Sequence, residues 1–288
     1  MDNLRDSLAA AARKGVAIGH FNISDLVGLK AVAAAARQLE VPVLIGTSEG
    51  ERAFIGARQA ASVVRSIRDE YDVPIFLNAD HTHSLAKAEE AARAGYDMIG
   101  FDGSALALEE NVRQTKEAVE AIRSINAGAV VEGELGYIGS GSEIHDAVPE
   151  SSLTFTNPDE AREFAEAAGI DVLAPAVGNM HGLLATMVRG EARKHLDIGR
   201  IAQIKAATGL PLTLHGGSAT DDDDFRRAIA AGMTIVHIST ELRLAWRRGL
   251  EAAFSAEPDN LVPYHLFGKA SGAMQEVAAS RLKLFNRL

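Results

Sequence analysis

The chain contains no cysteine. That excludes disulfides and thiolate metal sites together, so any bound metal must rely on imidazole and carboxylate. Long hydrophobic runs are also missing: none reaches the roughly 18 apolar residues of a membrane span, and no membrane partner is expected. Basic charge is in the minority, with 29 Lys and Arg against 39 Asp and Glu, a formal net charge of −10 and no basic cluster. Nucleic acid is therefore not an expected partner. The first residues, "MDNLRDSLAAAARKG", read as an amphipathic helix rather than a signal peptide, and the default location is cytoplasmic. Low-complexity segments and breaks in composition are absent too, so residues 1–288 read as one domain.

What is present is an alternation. Eight short apolar or β-branched runs are each followed by a segment of helical period: 15–22, 41–48, 73–81, 96–104, 129–136, 170–178, 210–218 and 232–240. Most are continuously apolar, as strands buried on both faces of a parallel sheet must be. In 105–125, Leu108, Val112, Val119 and Ile122 share one helical face, and Asn157-Pro158 marks a helix start. Eight β-then-α units point to an α/β fold of the (β/α)8 TIM-barrel type, with extra C-terminal helices over about 256–288. A doubly wound open sheet is the competing fold, and the lack of an early G-x-G-x-x-G argues against it.

Chemistry in such a barrel collects where strands finish. The runs end on His20 and Asn22, Thr47 and Ser48, Asp80 and His81, Asp102, Glu132 and Glu134, then lead to Asn179 and His181, His215 to Ser218, and His237 with Ser239 and Thr240. Five of the nine histidines fall at these ends. One such histidine alone is ordinarily a hydrogen-bonded structural residue. Several converging on one mouth, with carboxylates nearby, suit zinc with an open position that polarises a carbonyl. All eight lysines, Lys194 included, fall in predicted helices or the C-terminal tail, which argues against a Schiff-base enzyme. Gly216 and Gly217 with Ser218, Ser239 and Thr240 sit where this fold commonly binds phosphate. The acidic run 221–224 reads as a solvated first helical turn. The long segment 136–156 reads as a lid carrying Glu143, His145 and Asp146 as candidate acid–base groups.

Taken together, "ADHTHS", "FDGS", "EGELG", "GNMHG" and "LHGGS", in this order and spacing, resemble the class II, metal-dependent ketose-bisphosphate aldolases. The resemblance runs from "GHFNISDL" to "STELR". It implies reversible cleavage of a ketose 1,6-bisphosphate, fructose-1,6-bisphosphate first, to dihydroxyacetone phosphate and an aldehyde such as glyceraldehyde 3-phosphate. It implies His81, His181 and His215 as ligands of one Zn2+ per subunit, with Glu134 and Asp102 lining a place for a second or displaced divalent metal. Asp80 becomes the group that handles the substrate hydroxyl proton, and Glu143 the candidate acid in the loop after the fifth strand. Asn22, Ser48, Gly182, Gly216, Gly217, Ser218, His237, Ser239 and Thr240 become substrate and phosphate contacts, where the family often also holds a monovalent cation (Na+ or K+). His83 falls past the strand end and is expected to support the site rather than bind metal.

The chain departs from the family pattern at three points. Ile235 and His237 stand where the family's last strand carries lysine and asparagine, and Ala219 stands where glycine is common. No motif selects a residue for the second phosphate among Arg243, Arg247 and Arg248. Tagatose-1,6-bisphosphate or another phosphorylated ketose is the alternative substrate. A metal-dependent hydrolase and a catalytically silent sugar-phosphate-binding barrel are the alternative functions. A homodimer or homotetramer is expected, because the C-terminal stretch "SGAMQEVAASRLKLF" is amphipathic enough to need a surface.

Overall fold

The computed structural model describes residues 3–139, 141, 143–147 and 155–288. Its strands are β1 (Ile18–Asn22), β2 (Val43–Thr47), β3 (Ile75–Thr82), β4 (Met98–Phe101), β5 (Val130–Leu135), β6 (Ile144–His145), β7 (Val172–Pro175), β8 (Leu183–Leu184), β9 (Leu212–Leu214) and β10 (Met233–Ile238). Its helices are α1 (Leu4–Lys14), α2 (Leu26–Leu39), α3 (Glu49–Ile55), α4 (Ala57–Tyr71), α5 (Leu85–Ala94), α6 (Leu108–Ile125), α7 (Pro158–Ala168), α8 (Ala185–Val188), α9 (Ile198–Thr208), α10 (Asp222–Ala231), α11 (Thr240–Ala256) and α12 (Pro263–Asn286). Eight strands close into a parallel barrel in the order β1-β10-β9-β7-β5-β4-β3-β2, while β6 and β8 form a separate two-stranded piece. Every barrel strand lies within one of the eight apolar runs, allowing one residue at the end of β3. The open-sheet alternative is excluded by closure.

Local signals account for many of the helix ends. Asn157 accepts from the backbone of Asp159 and Glu160, with Pro158 in the first turn of α7. The acidic run behaves as expected: Asp221 caps α10 and the next three Asp form its first turn. Its last member, Asp224, is nevertheless buried, and accepts from the Leu196 backbone at 3.0 Å.

The barrel interior is layered along the strands. At the N-terminal end, Ile18, Leu44, Phe76, Met98, Val130, Val172 and Ile235 form one apolar layer, closed from below by Leu4, Leu8 and Ala11 of α1. Side chains alternate faces along a strand, so the next inward position is two residues on. That step takes Ile18 to His20, Phe76 to Asn78, Val130 to Glu132 and Ile235 to His237, all buried. A second step reaches Asn22, Asp80 and Glu134, also buried. Apolar floor and ionisable mouth are therefore consecutive layers of one barrel.

The C-terminal helices differ from expectation. α12 starts at Pro263, and packs on α11, α2 and β1 of its own chain. Ala270, Met274, Ala278, Leu282 and Phe285 are buried there, so its apolar stripe needs no second subunit. Among the described residues, no helix is long and apolar enough to cross a membrane.

Gly46 marks the tightest point of the polar layer. A Cβ there would stand 2.1 Å from Cε1 of His20, whose ring is fully buried. Gly46→Ala is expected to cost about 1–3 kcal/mol through overpacking, read as a lower urea midpoint with an unchanged slope.

Candidate active site

Asp80 and His81 are adjacent, so in a regular strand their side chains would point to opposite faces. Along β3, Phe76, Asn78 and Asp80 follow the inward phase, whereas Leu77 and Ala79 belong to the helix-facing core. His81 should follow the outward set. Instead the register of β3 with β4 shifts between Ala79 and Thr82, and His81 takes a left-handed backbone with φ 46°. This irregularity turns His81 back to the mouth beside Asp80. Arg52 of α3 holds it there: its buried guanidinium donates to the carbonyls of Thr47 and Asp80 and, at 2.9 Å, to Thr82 Oγ1. Nothing in the sequence singled out Arg52.

Three imidazoles meet at this mouth. His81 Nδ1 donates to Asp102 Oδ2 at 2.9 Å, and His181 Nδ1 to the Gly139 carbonyl at 2.8 Å. His215 Nε2 donates to Glu132 Oε1 at 2.9 Å. With one ring nitrogen of each committed as a donor, the other carries a lone pair in the neutral ring. Those remaining nitrogens face one another: His81 Nε2 lies 3.2 Å from His181 Nε2 and 3.3 Å from His215 Nδ1. Lone pairs at that separation repel unless a proton or a cation lies among them. The donor set therefore fits a divalent metal, consistent with one ring nitrogen from each of the three lying within 4.8 Å of the others.

The carboxylates set the charge. Burial pushes the Asp80 carboxyl up, but neighbouring His81 and His237 prevail and hold it well below the usual carboxylate range. Asn22 donates to Asp80 Oδ2 at 2.8 Å, while His237 Nδ1 lies 3.4 Å from Oδ1. Burial and the nearby Asp102 charge push Glu134 up, its Oε1 standing 2.9 Å from His81 Nδ1. Asp102 is held down, against burial, by His81 and by Ser104, whose hydroxyl donates at 2.6 Å. Burial lowers the histidines, but Glu134 and Glu132 outweigh it at His215, raised to about 9, and Glu134 and Asp80 do so at His81. At His181 burial and the other two rings prevail over the Gly139 carbonyl and Asp80, and lower it to about 3.

A cavity of about 260 Å³ opens over this cluster. Asn22, Ser48, Asp80, His81, Asp102, His181, Gly182, Gly216, Ser218, His237, Ser239 and Thr240 line it, all expected from the sequence. Others stand differently. Gly217 is not in the lining, and its N–H already donates to the His237 carbonyl. Ser48 lines the cavity while its hydroxyl caps α3 in a reciprocal pair with Glu51. Glu143 is exposed and outside the lining, and its carbonyl accepts from Leu183 N–H. Parts of the expected lid, 140, 142 and 148–154, lie outside the described residues. His83 is past the end of β3 and half exposed, as expected.

Glu132, Glu51, Arg52 and Ser104 were missed as working residues. For Glu132 a signal existed: it lies two residues from Glu134 on one face of β5. The lysine expectation also needs correction. Lys194 is in no helix; it lies in the loop before α9, is buried, and lines the cavity. The sequence pattern misplaced it because 185–197 mixes short elements without a helical period. Among the three arginines left open, Arg243 of α11 lines the cavity, with Nη2 on Glu51 Oε1 at 2.6 Å.

Metal uptake must displace the protons that Glu132, Glu134 and Asp80 favour on His215 and His81. Zinc binding should therefore release protons at neutral pH and tighten as pH rises toward about 9, where His215 titrates; calorimetry in buffers of different ionisation enthalpy reads both. Glu132→Gln should weaken metal binding by about 10–100-fold with little change in fold.

The comparisons with known proteins agree with this geometry. The model of the fructose-bisphosphate aldolase class-II family matches residues 2–287. The probable fructose-bisphosphate aldolase of Bacillus subtilis (strain 168) is 32% identical over 286 residues, covering 98% of this chain and 96% of that protein. The D-tagatose-1,6-bisphosphate aldolase subunit GatY of Klebsiella oxytoca is 33% identical over 273 residues, covering 95% and 93%. Among solved structures, the YdjI aldolase of Escherichia coli K12 superimposes with a TM-score of 0.83 at 30% identity, over 98% of this chain and 96% of that one. A closed parallel barrel, an imidazole triad at its mouth and a family match over almost the whole chain have one meaning: this protein is a member of the class II fructose-bisphosphate aldolase family.

Proposed function

We propose that this aldolase cleaves fructose-1,6-bisphosphate reversibly to dihydroxyacetone phosphate and glyceraldehyde 3-phosphate, with Zn2+ on His81, His181 and His215. The observation that carries the reading is the convergence of one ring nitrogen from each of three imidazoles beside an ionised Asp80. Zinc held there supplies Lewis-acid polarisation of a carbonyl and a sink for the negative charge left when the C–C bond breaks.

The chain's own groups supply the rest. Asp80 is fixed by Asn22 and takes the proton from the hydroxyl whose oxygen becomes the aldehyde carbonyl. His237 Nε2 is buried, lacks a protein partner among the described residues, and belongs to a side chain that lines the cavity; it orients a substrate hydroxyl. Ser218, Ser239 and Thr240 with Gly182 and Gly216 receive the ketose-end phosphate at the N-terminus of α11, where backbone N–H groups favour an anion. Arg243 meets the phosphate at the aldehyde end. Glu134 and Asp102 form with His81 a second grouping able to hold a divalent metal. We place the enzyme in the cytoplasm as a homodimer or homotetramer. Phe54, Phe254, Leu261 and Tyr264 are among the exposed apolar groups available for contact.

Replacement of the family's asparagine by His237 keeps tagatose-1,6-bisphosphate as the second substrate to test. Release of dihydroxyacetone phosphate from both sugars, before and after EDTA and with zinc added back, decides the reading. The expectation is cleavage of fructose-1,6-bisphosphate that EDTA abolishes and zinc restores; a zinc-loaded protein that cleaves neither sugar would overturn it. Asp80→Asn should lower kcat by about 10²–10⁴-fold while metal content stays at the wild-type level.

A further inference from the structure

Lys194 is the buried cation for which the chemistry above has no use. Its ammonium donates to three backbone carbonyls, Met180 at 2.8 Å, Gly182 at 2.8 Å and Gly216 at 2.9 Å. It makes no ion pair among the described residues, although it is 3% exposed. Its main chain is pinned as well: Lys194 N–H donates to the Ala219 carbonyl at 2.8 Å, and Asp221 N–H donates to the Lys194 carbonyl at 3.0 Å. One residue thus joins the loop after β7, which carries His181, to the loop after β9, which carries Ser218.

The three acceptors match the three donors of an ammonium; a neutral amine has two donors and a lone pair that would oppose one of the carbonyls. The same acceptors are the reason a free monovalent cation does not fit. Backbone carbonyl oxygens are the ligands such an ion requires, and here an ammonium already engages three of them on the loops where the family resemblance implies Na+ or K+. A second positive charge beside it would be repelled. Burial penalises this ammonium, the Glu241 carboxylate offsets only part of that cost without forming an ion pair, and the cavity Lys194 lines is the one assigned to a phosphate.

We propose that Lys194 is a tethered replacement for the monovalent cation: its ammonium draws the two loops together and is the counter-charge of the ketose-end phosphate, so the enzyme needs neither Na+ nor K+. The inference rests on the reading above that these loops hold phosphate. It makes Lys194 a positioning residue and not a Schiff-base lysine, since all three N–H donors are engaged.

The test is calorimetric binding of dihydroxyacetone phosphate to the zinc-loaded protein, in potassium, sodium and tetramethylammonium chloride at equal ionic strength. Wild-type affinity should be the same in all three. Lys194→Met should weaken binding about 10–100-fold, as expected when a buried charged donor is removed. Lys194→Ala, which vacates the carbonyl cage, should weaken binding in tetramethylammonium and recover part of it in potassium. A several-fold gain for the wild type in potassium or sodium would overturn the proposal, and so would wild-type affinity in folded Lys194→Met. If neither variant folds, the wild-type salt comparison alone decides. Salt-independent binding that needs Lys194, in a protein that cleaves no ketose phosphate, would strike the aldolase reading and leave this one standing.

Discussion

The site depends on a single reversal of direction in β3. Asp80 is in phase with the barrel interior and His81 is not, yet both must face the same space. The left-handed backbone at His81 supplies the missing half-turn. For a residue with a Cβ this conformation costs roughly 1–2 kcal/mol, so it persists only where neighbours over-determine it. Arg52 does so from one side, bonding the carbonyls of Thr47 and Asp80 and the Thr82 hydroxyl. Asp102 does so from the other, by accepting the hydrogen bond of His81 Nδ1–H. Released from these, His81 would fall back into strand phase and leave two histidines at the mouth in place of three.

The carboxylates then divide the work by position. Glu132 and Asp102 each accept from the outer nitrogen of a ring, so that the other nitrogen is the one that faces the centre. Asp80 is kept ionised by the rings around it and held by Asn22. Glu134, between these groups, is pushed up by burial and by Asp102. These roles follow from which atom each oxygen touches, since all four are the same functional group.

The loops above the barrel are tied back to the C-terminal helices. Arg281 of α12 binds Glu241 with Nε to Oε2 at 2.8 Å, and Glu241 Oε1 accepts the N–H of Ala219 at 2.6 Å. Ala219 itself sits at φ 62°, a conformation that explains why glycine suits this position and why a residue with a Cβ needs the additional hold. The stripe on α12 that seemed to call for a second subunit is the surface that seats this brace against α2 and α11.

Much of this was legible in the sequence. Eight apolar runs, each at the head of a helical segment, point to a parallel sheet covered by helices, and their number favours the barrel; closure itself is seen only in the strand pairing. Period-two alternation is a local property, and it already placed His20, Asp80, Glu132, Glu134 and His237 at strand ends. Tertiary structure alone decided the rest. His81 needed a register shift that no residue pattern encodes. Arg52 and Lys194 act through backbone carbonyls, which have no sequence signature, and reach across elements far apart in the chain. Serine and glycine suit both caps and phosphate loops; in the fold Ser48 caps α3 and still lines the cavity, whereas Gly217 is outside the lining with its N–H on the His237 carbonyl.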